Sequence, residues 1–138
     1  MQARELMTSD QIWACADNSD ARECAQMMRD HNVGAIPVLD QEGKLEGILT
    51  DRDICCRLVA EGRTMETPVR DLMTKEPQFV KPDTDLQDCE RMMRENKIRR
   101  LPVVNDEMKL QGFISTADIA RKRESKEIAE VMETISRP

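Results

Sequence analysis

Gly47-Ile48-Leu49-Thr50-Asp51-Arg52-Asp53-Ile54 returns 65 residues later as Gly112-Phe113-Ile114-Ser115-Thr116-Ala117-Asp118-Ile119. Nearer the start of each copy, Arg4-Glu5-Leu6-Met7-Thr8 returns as Arg70-Asp71-Leu72-Met73-Thr74 at an offset of 66. Between these anchors Cys24 matches Cys89, Met27-Met28-Arg29 matches Met92-Met93-Arg94, Pro37-Val38 matches Pro102-Val103 and Lys44-Leu45 matches Lys109-Leu110, all at 65. A register kept over so many separate positions marks an internal duplication. Each copy alone is too short to bury a core comfortably, so the two are expected to stack about a pseudo-two-fold axis that creates two equivalent clefts.

Each copy reads as strand, helix, strand, strand, helix. Ala21, Cys24, Ala25 and Met28 fall at i, i+3, i+4 and i+7 behind Asp20, which predicts a capped amphipathic helix ending between Asn32 and Gly34. Ile36-Pro37-Val38-Leu39 and Leu45-Glu46-Gly47-Ile48-Leu49 flank a turn-forming Asp40-to-Lys44 stretch, which predicts a hairpin. The expected organisation is a first repeat over 1–61, a linker over 62–68, a second repeat over 69–122 and a C-terminal helix over 123–138. In that last segment Ile128, Val131, Met132 and Ile135 form an apolar stripe that must cover either its own core or a second chain.

Composition narrows the function. A net charge of −6 over 138 residues argues against a general nucleic-acid surface, which needs Lys and Arg to neutralise phosphates. No run approaches the roughly 20 apolar residues of a membrane span, and the N-terminus has no apolar signal core, so a cytoplasmic protein with no membrane partner is expected. The five cysteines lack metal-ligand spacing. Cys24 and Cys89, on equivalent apolar helix positions, read as buried reduced thiols. The lone His31 reads as a helix-end residue, and no catalytic pairing or Gly-rich phosphate loop is present.

The paired anchors resemble the cystathionine β-synthase (CBS) domain, and the whole chain resembles one tandem CBS pair, a Bateman module. The resemblance implies a mixed α/β fold of two βαββα repeats plus the C-terminal helix, and clefts that take AMP, ADP, ATP or S-adenosylmethionine as a regulatory ligand. It also implies no catalysis and no resident cofactor. With no enzyme or transporter domain attached, the effector is expected to be a separate protein, and the module itself to be a homodimer.

The residues suit such a ligand. A carboxylate only accepts hydrogen bonds, so Asp53 and Asp118 near helix starts suit both ribose hydroxyls. Thr50 and Ser115 place a hydroxyl beside exposed helix N–H groups, which suits phosphate; they equally suit helix caps, with the aspartates complementing the dipole. Adenine is expected against Ala35, Ile36 and Pro37 and their counterparts Arg100, Leu101 and Pro102, with Ile98 and Arg99 beside them. The clefts differ, because Gly34-Ala35 becomes Arg99-Arg100 and Asp51-Arg52 becomes Thr116-Ala117. Arg99 and Arg100 fit either phosphate or a solvated face. Two other functions compete: a ligand-free interaction module, and a redox or metal sensor built on Cys15, Cys55 and Cys56.

Overall fold

The computed structural model describes residues 1–136. Its elements, in chain order, are β1 (Cys15–Ala16), α1 (Ala21–His31), β2 (Ala35–Leu39), β3 (Leu45–Thr50), α2 (Asp51–Asp53, continued as a π-helix over Ile54–Val59), β4 (Thr74–Lys75), α3 (Leu86–Asn96), β5 (Arg100–Val104), β6 (Leu110–Ser115) and α4 (Thr116–Ser136). The expected α/β architecture is present, a mixture of helices and two sheets. Among the described residues no helix is long and apolar enough to cross a membrane.

Local chemistry explains the helix ends. Asp20 Oδ1 accepts the Glu23 N–H at 2.9 Å and starts α1, while Asn32 closes it at φ +52°. Lys97 closes α3 in the same left-handed way at φ +55°. The inward faces are those the periodicity marks: Ala21, Cys24 and Met28 on α1, Cys89 and Met93 on α3. In the hairpin, Asp40 Oδ1 accepts the N–H groups of Glu42 and Lys44, both at 2.9 Å, and the matching Asn105 Oδ1 accepts those of Glu107 and Lys109. The two hairpins meet, with Leu45 N–H donating to the Met108 carbonyl at 2.9 Å.

The sheets reveal an exchange between the copies. The first sheet runs β1-β2-β3-β4, with β1 parallel to β2 and the other pairs antiparallel. Its edge strand β4 belongs to the opening motif of the second repeat. Conversely, Thr8 from the first repeat bridges Phe113 on β6, and Val80 bridges Val103 on β5 in the place of β1. The two cores follow suit. Val69, Leu72 and Met73 pack with Cys24, Ile36 and Leu49, whereas Ala3, Leu6 and Met7 pack with Cys89, Leu101 and Ile114. Val69 and Leu72 are fully buried, and side chains of that size each contribute about 1.5–3 kcal/mol on burial, so the borrowed segments are structural parts of their host halves.

Glycine permits this exchange. A Cβ on Gly47 would stand 2.8 Å from the Thr74 carbonyl oxygen, and one on Gly112 would stand 2.6 Å from that of Thr8. No other residue fits between β3 or β6 and the incoming strand.

Three expectations change. Cys24 is not a reduced thiol: it is joined to Cys15 as a disulfide, because α1 packs onto β1 and brings the two Cα atoms to 6.6 Å. The equivalent place in the second half pairs Val80 with Cys89, which stays free and buried. The strand expected to open the first copy is only the two residues Cys15–Ala16, and Trp13 just before it stacks on His31 with ring centroids 3.4 Å apart. Finally, α4 runs unbroken through residue 123, and every residue from Ala120 to Ile135 is exposed. Ile128, Val131, Met132 and Ile135 are 56%, 57%, 59% and 71% accessible, so the stripe does not cover its own core. Arg137 and Pro138, the end of the expected C-terminal helix, lie outside the described residues.

Candidate functional site

Both copies build the same turn where their third strand enters a helix. Thr50 N–H donates to Asp53 Oδ2 at 3.0 Å while Asp53 N–H donates to Thr50 Oγ1 at 3.1 Å. Ser115 and Asp118 repeat the reciprocal pair at 3.0 and 3.1 Å. The capping role is therefore real in both halves, and each cap fixes its aspartate in one orientation. It leaves chemistry unspent. The Thr50 and Ser115 oxygens accept in the cap, which keeps their O–H groups available as donors. Each aspartate commits Oδ2 to the backbone and turns Oδ1 outward, where Arg57 Nε lies 3.8 Å from Asp53 and Arg121 pairs with Asp118. At 13% and 10% accessible, these carboxylates are recessed but still reachable.

The neighbouring strand supplies the second wall. Ala35 stands opposite Thr50 in the β2-β3 register, and Arg100 stands opposite Ser115 in β5-β6, so each pair shares a sheet face. Asp51 N–H donates to the Gly34 carbonyl at 3.0 Å, and Thr116 N–H to that of Arg99 at 2.9 Å, which ties the helix start to the strand entry. Ala35, Thr50, Asp53, Ser115 and Asp118 are half-buried, while Asp51, Arg52, Arg99, Arg100 and Thr116 are exposed.

The expected adenine wall is different. Ile36 and Leu101 are fully buried in the two cores, and Pro37 and Pro102 are buried as well. Strand alternation turns Ile36 and Leu101 toward the helices, away from the face that carries the half-buried Ala35 and the exposed Arg100. Ile98 is half-buried and lines, with Met93, Thr116, Ile119 and Arg123, a 430 Å³ groove between α3 and α4 that reaches the Ser115 turn at Thr116. The borrowed segments, Met7-Thr8 beside β6 and Met73-Thr74 beside β3, flank the strands that lead into the two turns and were missed from sequence. A glycine inside each of those strands was the available signal, since it marks a close backbone approach.

A second concavity of 510 Å³ lies by the hairpin tips, lined by Leu45, Glu46, Gln78, Phe79 and Met108. Burial raises the Glu46 carboxyl above the ordinary range, with Asp17 adding to the effect. Its counterpart in the second copy is the uncharged Gln111. Among the described residues no three of the His, Cys, Asp and Glu side chains converge in a way that would hold a metal ion.

Residues 3–60 and 69–125 each match the profile of the CBS domain. The chain belongs to the CBS domain family. As a tandem CBS pair it is 41% identical over 126 residues to the CBS domain-containing protein YhcV of Bacillus subtilis, covering 91% of this chain and 88% of that one. Among solved structures, Hypoxic Response Protein I with two coordinated zinc ions is 31% identical, with a TM-score of 0.80 over 88% of this chain and 98% of its own. CBSX2 in complex with AMP is 27% identical, with a TM-score of 0.81 over 91% of this chain and 98% of its own. These coverages are those of whole CBS pairs, and each repeat contributes one capped aspartate turn to the pair.

Proposed function

We propose that this CBS pair is a regulatory module whose clefts bind an adenosine-containing ligand, AMP, ADP, ATP or S-adenosylmethionine, and that it signals occupancy to a separate protein. The observation that carries the reading is the duplicated turn in which a capping box holds a recessed aspartate with one carboxylate oxygen facing outward. A carboxylate fixed in that way suits a vicinal diol such as the ribose 2′- and 3′-hydroxyls, and the AMP complex of CBSX2 supports the ligand class. Thr50 and Ser115 would donate their free O–H to a phosphate or to the 5′ end of the ligand. No group in the turn is arranged as nucleophile and base, so the output is conformational: a ligand that prefers one arrangement of the repeats shifts the population toward it. The exposed stripe on α4 supports a homodimer.

Titration calorimetry of adenosine and AMP into the wild type and the double variant Asp53→Asn, Asp118→Asn tests the reading. Asparagine keeps an oxygen for the cap but loses the charge. Hydrogen bonds to a charged acceptor contribute about 1.5–3 kcal/mol, so affinity should fall about tenfold or more. Unchanged affinity would remove the ribose role. The redox alternative has one observation in its favour, the Cys15–Cys24 disulfide. Both sulfurs are shielded, Cys15 at 5% and Cys24 at 0% accessible, which suits a static link better than a sensor.

A further inference from the structure

The two ends of α4 complement each other. Near its start the helix forms one wall of the 430 Å³ groove through Thr116, Ile119, Ala120 and Arg123, with Met93 and Ile98 on the α3 side. Near its end Ile128, Val131, Met132 and Ile135 stand out as an apolar stripe, each more than half exposed. Charge is divided in the same way. Arg121, Lys122, Arg123 and Lys126 against Glu124 give the first stretch a net +3, and Glu127, Glu130 and Glu133 give the next a net −3. Arg121 and Arg123 are paired within the chain, with Asp118 and Glu90, whereas no ion pair among the described residues engages Lys122, Lys126, Glu127 or Glu130.

Because α4 runs unbroken from Thr116 to Ser136, its stripe cannot fold back onto the groove at its own start. A second copy can supply both parts. Set antiparallel, with the symmetry axis midway between groove and stripe near Ser125 and Lys126, two α4 helices bring each stripe to the other copy's groove and each acidic stretch beside the other's basic one. A parallel pair instead sets stripe on stripe, leaves both grooves open and aligns glutamate with glutamate. At about 100° per residue the stripe lies roughly a third of a turn around α4 from the groove wall, so the two helices cross rather than run side by side.

We propose that two copies of this chain exchange the ends of α4, each apolar stripe seated in the other's groove between α3 and α4, to form an antiparallel interface with two equivalent seats. The arrangement rests on the homodimer reading above and adds its orientation and the seat that receives the stripe.

The test is complementation, read by sedimentation of the full chain at tens of micromolar. Ala120→Glu places a charge in the groove, and Ile128→Glu with Ile135→Glu removes the stripe; all three positions are exposed, and thermal unfolding of each variant verifies that the fold persists. Each variant alone should be monomeric, since both seats are then broken. Their equimolar mixture should contain dimers again, because one intact stripe meets one intact groove. The wild-type dimer should loosen as salt rises, its Kd increasing severalfold by about 0.5 M, since the opposed charges are screened. An Ala120→Glu protein as dimeric as the wild type, a mixture that stays monomeric, or a wild-type dimer that salt leaves unchanged or tightens overturns the antiparallel exchange while the homodimer reading stands. A wild-type monomer removes the homodimer reading, and this inference falls with it.

Discussion

Replacing Gly112 by alanine tests the strand exchange at its tightest point. The new methyl would stand 2.6 Å from the Thr8 carbonyl oxygen and 3.2 Å from Met7 Sδ. Neither backbone can yield alone, because Thr8 and Phe113 hold each other by N–H···O bonds of 2.7 and 2.9 Å. Overpacking of this kind costs about 1–3 kcal/mol. Parting the strand loses two backbone hydrogen bonds at about 1 kcal/mol each, so the two effects together predict a loss of about 3–5 kcal/mol. Gly47→Ala should cost less, since its nearest neighbour is the flexible Met73 side chain at 2.5 Å, with the Thr74 carbonyl oxygen at 2.8 Å. Gly43→Ala is the control. It meets nothing within 4 Å and bears only the strain of φ +81°, about 1–2 kcal/mol. Urea unfolding of the three variants gives the order directly. A Gly112→Ala protein as stable as Gly43→Ala would mean that the first repeat's opening segment does not lie against β6.

The cysteines and the terminal helix give two further tests. Unfolded without reductant, the chain should expose three thiols, Cys55, Cys56 and Cys89; in the native state Cys89 should alkylate slowly at neutral pH, because burial, with Asp88 adding, raises its thiol to about 11, whereas five thiols on unfolding would sink the Cys15–Cys24 link. Sedimentation at micromolar concentration should give twice the 15.9 kDa chain mass, and Ile128→Glu with Ile135→Glu should yield monomers; a wild-type monomer would show that the stripe pairs with no second copy.

The duplication made much of this molecule legible. Helix periodicity placed Cys24, Met28, Cys89 and Met93 inward, and the Thr50/Asp53 and Ser115/Asp118 spacing announced turns that the structure closes as capping boxes. What escaped is what a repeat hides. Because Leu6-Met7 and Leu72-Met73 are near copies, either one satisfies the apolar pattern of either half, and the choice depends on chain path rather than on residue type. The Cys15–Cys24 link escaped because its counterpart is Val80 with Cys89, so the repeat pattern spoke for a thiol. Ile36 and Leu101 were expected in the cleft as apolar residues of the central strands beside Ala35 and Arg100, and the structure buries both in the cores. A pleated strand sends such neighbours to opposite faces.

The exchange of opening segments bears on the history of the duplication. A chain carrying a single repeat has β3 in place but must find the strand beside Gly47 elsewhere, either by folding its own opening segment back or by taking one from another molecule. Two such molecules trading segments would have the contacts now made within one chain, including those of Ala3 and Leu72. Within one chain the short stretch around Gly62 replaces that concentration-dependent encounter by a tether. Tethered halves need not be identical, and here Asp51 stands in one copy where Thr116 stands in the other, and Gly34 where the other carries Arg99.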